Sequence, residues 1–279
     1  MSVVLVTGCN SGFGLATARV LAERGDHVFA TVLPNDPSGM GEIEAAQASG
    51  LPITIAPLDV TDAAAAAALV ARIVAEAGRI DALVNNAGVS TMAALEEVSI
   101  DDARRMFEIN YFGPLRLIQL VLPHMRRQGA GRIVNVSSGA GFIPTAWQTT
   151  YVATKHAIDG MSFGLAAEVH RFGIRVSIVS PGVFATAIGA KLWPPSQDSG
   201  EPWYGEMTAL VVDGWRSIVE GRDPVAVALA IDACIHGEHP PARVFVGADS
   251  QKGAQRRREM SDDEWAAVLL RPPFRKPAA

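Results

Sequence analysis

Residues 6–14 read VTGCNSGFG, which sets Gly8, Gly12 and Gly14 directly behind the apolar run VVLVT at 3–7. The residues that follow carry a helical pattern. Glycines between a buried strand and a helix allow positive φ and let main chain approach a ligand with no Cβ in the way. A first strand-to-helix turn of this kind delivers a pyrophosphate to the N-terminus of the helix. Glycine turns that bind nothing are common, so the weight of the motif rests on what surrounds it.

Outward from that loop, short β-branched runs alternate with longer helical patterns. Strands are expected at 3–7, 27–32, 53–57, 82–86, 132–137, 175–180 and 242–247. They are near-continuous apolar runs, as strands covered on both faces are. Helices are expected after Gly12, over the alanine-rich 63–77 behind Thr61 as cap, from Ser99-x-x-Asp102, and from Asp223-Pro224. The alternation predicts an α/β fold: a single doubly wound parallel sheet of about seven strands with helices on both faces. This domain is assigned to residues 1–250. Within it, 187–222 (with LWPPSQDSGEPWYGEM) reads as an irregular lid that covers the reacting end when substrate binds. A tail at 251–279 carries a short helix capped by Ser261-x-x-Glu264 and then RPPFRKPAA.

Composition narrows the function. The 24 basic and 29 acidic residues leave a formal charge of −5, and the basic residues are dispersed, which argues against a nucleic-acid surface. The run Arg256–Arg258 is followed by Asp262, Asp263 and Glu264 and reads as a solvated, self-neutralised face. The two cysteines, Cys9 and Cys234, give neither a disulfide framework nor a metal site. The first apolar stretch is five residues, and no run reaches the length of a membrane span. A cytoplasmic protein is expected.

YVATK puts Tyr151 and Lys155 four residues apart on one helix face. A phenol titrates near 10, too high for a base at neutral pH. An adjacent ammonium and an oxidised nicotinamide would lower it by about 3 units, or roughly 4 kcal/mol. NVSSGAG ends a buried strand at its carboxyl end, where such sheets hold ligands, and it places Ser138 thirteen residues before Tyr151. Asn110 sits in a helical pattern where asparagine is unfavourable. Pro114, four residues on, has no N–H for the Asn110 carbonyl, which must find another partner, expected to be water.

With TGCNSGFG, LDV at 58–60, NNAG at 85–88, Asn110, Ser138, YVATK and PGVFAT at 181–186, the chain resembles the short-chain dehydrogenase/reductase family. The likeness runs from about residue 2 to 247, and the motif pattern is most similar to the hydroxysteroid and retinol dehydrogenases. The resemblance implies a Rossmann fold and Tyr151 as proton donor or acceptor. It further implies Ser138 as the partner of the reacting oxygen, Lys155 on the nicotinamide ribose, and Asn110 completing a water relay. For the cofactor it implies Gly8, Asn10, Ser11, Gly12, Phe13 and Gly14 at the phosphates. Asp59 and Val60 would lie at the adenine, Asn86, Ala87 and Gly88 at its ribose, and Pro181, Gly182, Val183 and Thr186 at the nicotinamide end. Family members commonly form homodimers or homotetramers through the helices that here would be 101–127 and 150–170.

The end of the second strand bears on cofactor choice. Aligned on FAT, Val32 stands where a carboxylate would select NAD and Leu33 where an arginine would welcome NADP. With Ser11 not basic and Asp36 nearby, NAD(H) is expected to be preferred, with NADP(H) not excluded. Phe142, Trp147, Trp193 and Trp203 are expected to contact substrate, with Val89, Ile143, Leu192 and Tyr204 as further apolar wall. No Arg or Lys cluster accompanies them, so a small hydrophobic alcohol or ketone is expected. Two other functions fit the same residues: reduction of carrier-bound 3-oxoacyl groups, which would want a basic rim, and a catalytically silent nucleotide sensor, which would lack part of the tetrad.

Overall fold

The computed structural model describes residues 1–36, 39–184, 192–219 and 223–270. Seven strands, β1 (Val3–Val6), β2 (His27–Val32), β3 (Ile53–Pro57), β4 (Ala82–Asn85), β5 (Gly131–Val136), β6 (Ile174–Pro181) and β7 (Arg243–Val246), form one sheet in the order β3-β2-β1-β4-β5-β6-β7. Every pairing is parallel. Each strand lies within two residues of its expected bounds.

The continuous apolar runs divide between the faces by alternation. Phe29, Leu5, Leu83 and Ile133 stand in register across β2, β1, β4 and β5, all fully buried. They face α3 (Ala63–Ala77), α5 (Gly113–Gln128) and α6 (Thr149–Val169). Val4, Val6, Val84 and Val134 point to the opposite face, against α1 (Gly12–Glu23) and a late helix, Val225–His236. The order reverses between β1 and β4, and the cleft outside that switch point is where this architecture places ligands.

Local signals set most helix starts. Ser99 caps α4 (Ile100–Phe107) through Asp102 N. The cap of α3 is Asp62, which accepts from Ala65 N at 2.9 Å, whereas the expected Thr61 bonds Asp59 instead. Around Asn110 the helix widens into a π-turn over Glu108–Phe112, and Gly113 N bonds Glu108 O, five residues back. Pro114, unable to donate to Asn110 O, accounts for the widening.

One further expectation is corrected. Residues Pro202–Val219 form a helix, α7, rather than irregular chain. Its start, with proline in the first turn, follows the ordinary rule for helix entry. Helix α8 is Val225–His236, with Asp223 capping Val225 N. After β7 come α9 (Ala248–Arg258) and α10 (Asp262–Leu269), the latter with the expected capping box. Helix α2 (Met40–Ala48) was not anticipated. Thr186, residues 187–191 and 220–222, and the tail beyond 270 lie outside the described residues.

Candidate active site

The glycine loop is rigid because its turns are spent on main-chain fit. Gly8 and Gly12 have φ of 71° and 57°. A Cβ on Gly14 would lie 2.2 Å from Gly8 O, so Gly14 seats α1 against the loop. Gly8 N donates to Thr31 Oγ1, and Asn86 Nδ2 donates to Thr7 O and Gly8 O. Asn10 braces the loop against the end of β2: its Oδ1 accepts from Leu33 N at 2.8 Å and its Nδ2 donates to Asp36 O. Helix α1 begins with no side-chain cap and no acidic residue in its first turn. Its N-terminus therefore offers a positive dipole end and unpaired N–H groups toward the cleft.

Two cavities open along the carboxyl edge of the sheet. One, of about 380 Å³, is lined by Gly8, Asn10, Ser11, Gly12, Leu33, Asp59, Val60 and Ala87 among others. The other, of about 330 Å³, contains Ser138, Tyr151, Lys155, Pro181, Gly182 and Val183. Phe13, Asn86 and Gly88 line both, so the two make one cleft. The uncapped helix, the crowded glycines and a long groove leading to a lysine suit a dinucleotide. Two expected contacts do not face the cleft: Val32 is packed in the core and Gly14 serves packing. Asp36 stands on the wall beside Leu33, so the carboxylate sought at Val32 enters four residues later. Arg105 of α4 also lines this cavity, stacked over Trp193 at 5.2 Å, a cation the sequence reading left out.

At the reacting end the groups are buried side chains. Tyr151 is 8% exposed and Lys155 5%. Lys155 Nζ donates to Val136 O at 3.0 Å and stands 5.6 Å from the Tyr151 ring. Burial above all, opposed by its bond with the Ser138 hydroxyl and aided by the Asp159 charge, pushes the Tyr151 phenol up to about 12. The expected lowering by the ammonium is thus outweighed in the free protein. Burial brings Lys155 down to about 8, opposed by Asp159. Asn110 is clamped: Oδ1 accepts from Val89 N, and Nδ2 donates to Val89 O and Thr154 Oγ1. With its side chain so engaged, any relay through Asn110 must use its main chain. Cys9 is fully buried, its thiol pushed up by desolvation, and packs in the core.

None of the four residues expected at the substrate lines the cavity that holds Tyr151. Phe142 turns away from Tyr151 toward Phe245, with Arg243 and Arg258 over its ring. Trp147 stacks edge-on with Trp203 at 5.6 Å and donates to Thr208 Oγ1, anchoring α7. Trp193 lines the dinucleotide-side cavity, tied by Ser90 O and Thr91 Oγ1. Ile143 and Leu192 do line the Tyr151 cavity, whereas Val89 lies on the other. Further residues in the Tyr151 cavity come from far along the chain. Asp249 accepts from Val183 N at 2.8 Å, and Ser250 donates to Ser180 O, so α9 pins the loop after β6. No short motif marks these residues. The available signal was their place just beyond the last strand.

The family model for short chain dehydrogenases matches residues 2–197. A 3-ketodihydrosphingosine reductase of Bacteroides thetaiotaomicron is 32% identical, over 88% of this chain and 87% of that one. Retinol dehydrogenase 8 of Bos taurus is 34% identical, over 86% and 80%. Among solved structures, a short-chain dehydrogenase/reductase from Burkholderia phymatum in complex with NAD superposes with a TM-score of 0.81 at 22% identity, covering 100% of this chain and 98% of that one. A metagenomic short-chain oxidoreductase in complex with NADP gives 0.69 at 25%, covering 88% and 96%. With the strand order, the glycine loop and the Ser138, Tyr151 and Lys155 cluster in place, these matches show that the chain belongs to the short-chain dehydrogenase/reductase family, in its retinol- and hydroxysteroid-dehydrogenase-like branch.

Proposed function

We propose that the protein is an NAD(P)-dependent carbonyl reductase and alcohol dehydrogenase for neutral, hydrophobic secondary alcohols and ketones. One observation carries the reading: the Tyr151–Lys155–Ser138 cluster shares a continuous cleft with the uncapped N-terminus of α1. The bound nicotinamide supplies or accepts the hydride. The chain's part is to place the carbonyl and move the proton. Reduction builds negative charge on the carbonyl oxygen. Two hydroxyl donors, Ser138 and Tyr151, are worth most as that charge develops. Buried Tyr151 stays protonated at neutral pH and gives its proton to the nascent alkoxide; in oxidation the steps reverse. Lys155, braced on Val136 O, would hold the ribose and favour the phenolate that remains.

The wall composition supports an uncharged substrate. Lys155 and Asp249 are the only ionisable acid and amine lining this cavity among the described residues, and Asp249 would repel an anionic group. The relatives named for retinol and 3-ketodihydrosphingosine are consistent with an extended hydrophobic alcohol or ketone. We further infer NAD(H) preference from Leu33 and Asp36 on the adenosine-side wall. The test is cofactor fluorescence followed with a panel of cyclic and long-chain ketones, using NADH and NADPH in turn. Turnover with hydrophobic ketones is expected. Tight dinucleotide binding without turnover of any ketone would replace this reading with the nucleotide sensor.

A further inference from the structure

Tyr151, Lys155 and Asp159 are spaced four residues apart on the inner face of α6, and all three are buried. The mechanism above uses the first two. Asp159 meets Arg243 of β7 at 2.6 Å, and both side chains are almost wholly withdrawn from solvent. The guanidinium is enclosed by the rings of Phe142, Phe163 and Phe245, at 5.3, 5.4 and 5.5 Å. The turn after β5 closes onto the carboxylate. A Cβ on Gly141 would lie 2.7 Å from Asp159 Oδ2, so a larger residue there would push on the carboxylate. Ser137 of that turn is also beside this spot, 2.6 Å from the same Cβ position.

A buried ion pair is weak evidence for stability, since desolvation of both ions offsets their attraction. Its position is what matters here. Asp159 is one helical turn behind the Lys155 ammonium, which is itself buried and has Val136 O as its recorded hydrogen-bond partner. A cation in that setting tends to shed its proton, and a neighbouring anion opposes the tendency. Resting on the catalytic reading above, we propose that Asp159, held in place by Arg243, is a positioning residue that keeps Lys155 cationic behind Tyr151. The titratable and polar groups facing Asp159 are Lys155 and the neutral Tyr151 phenol on its own helix, Arg243 from β7, and Ser137 on the β5 side. Arg258 lies one ring further out, over Phe142 and Phe245.

The experiment is the pH dependence of kcat/KM for ketone reduction in wild type, Asp159→Asn and Arg243→Gln. On the proposed reading reduction needs the proton on Tyr151 and the charge on Lys155, so wild-type activity should fall as pH rises past about 8. Asp159→Asn removes the anion and leaves Lys155 facing the Arg243 cation. Its alkaline limb should move down by about one pH unit, the scale of one neighbouring charge. Arg243→Gln removes the cation that helps to hold the buried Asp159 ionised, so Asp159 takes up a proton, Lys155 loses its counter-charge, and the limb should move down by a smaller step, whereas Asp159→Glu should keep it near wild type. The pH dependence of dinucleotide affinity, read by quenching of tryptophan fluorescence, should shift in step and does not depend on turnover.

Profiles that superimpose on wild type after a uniform loss of rate would overturn the proposal. So would failure of both charge-removing variants to fold, which would assign the pair to stability alone. If only Asp159→Asn fails to fold, a downward shift in Arg243→Gln supports the proposal and an unmoved limb overturns it. Tyr151→Phe separates the two levels of inference: an active Tyr151→Phe removes the catalytic reading itself. An inactive one beside unmoved Asp159→Asn and Arg243→Gln profiles removes only the role of Asp159.

Discussion

The two ends of the cleft are built from different materials. At the dinucleotide end the side chains mostly brace main chain: Thr7, Asn10, Thr31 and Asn86 all bond backbone atoms, and the surface offered is glycine and the start of α1. At the other end buried side chains would do the chemistry on the proposed reading, Lys155 resting on Val136 O and Tyr151 on Ser138. The difference teaches which kind of substitution each end should feel. Change of shape should damage the first, and change of a single functional atom should damage the second.

The largest effect should come from the second end. Tyr151→Phe removes one oxygen from a buried phenol and leaves the helix intact. Turnover should fall by at least about 10²-fold, the scale of general acid–base catalysis, with dinucleotide affinity little changed. Loss of affinity in parallel with rate would blur the division between the two ends.

Shape is tested at Gly14. A Cβ there meets Gly8 O at 2.2 Å and Asn86 Nδ2 at 2.6 Å, and the first of these is backbone that cannot swing aside. Gly14→Ala should cost about 1–3 kcal/mol, typical of overpacking, and weaken the dinucleotide by about tenfold or more. Binding titration and thermal unfolding would read both. Gly160→Ala on α6, where a Cβ meets nothing within 4 Å, is the control and should leave affinity unchanged.

What could be read from the sequence divides along the same line. All seven strands and the Ser138, Tyr151 and Lys155 cluster were legible, because apolar runs and i, i+4 spacing are local signals. The wall around the substrate was not. Phe142 follows β5, as a pocket residue would, but the turn over Gly139–Gly141 carries it to the outer side. Trp147 sits at φ 61° and aims its ring at α7. Helix α7 was hidden by Pro195, Pro202, Gly200 and Gly205, of which Pro202 in fact opens the helix. Asp159 and Asp249 carry no motif, and their roles exist only once β7 and α9 are packed beside the site.

Trp203 turns that miss into a test. Its ring packs against Trp147 and Tyr204, which points to a role in seating α7. Trp203→Ala should remove an aromatic contact worth about 0.5–1.5 kcal/mol beyond its buried area and lower Tm by a few degrees. KM for hydrophobic ketones should stay within about twofold. A KM rise of about tenfold, or 1.4 kcal/mol, with Tm unchanged would return Trp203 to the substrate wall.

The smallest expected effect sharpens the first end, where one exposed side chain departs from the expectation that main chain would hold the dinucleotide. Leu33 is 46% exposed on the adenosine-side wall, its N–H fixed by Asn10, and the turn Asp36 N to Leu33 O brings Asp36 beside it. A 2′-phosphate there would meet a carboxylate and an aliphatic chain. Arg105, the cation of this cavity, is stacked on Trp193. NAD(H) should therefore be preferred by about tenfold in kcat/KM, the scale of one missing charge-assisted hydrogen bond. Leu33→Arg supplies a guanidinium whose fork fits a phosphate, though Asp36 will compete for it. The variant should shift preference toward NADP(H) by about tenfold and leave kcat with NADH near wild type. A wild type that already favours NADP(H) tenfold would mean that Arg105 leaves Trp193 to reach the phosphate. In that case Arg105→Ala, not Leu33→Arg, would be the variant that changes cofactor choice.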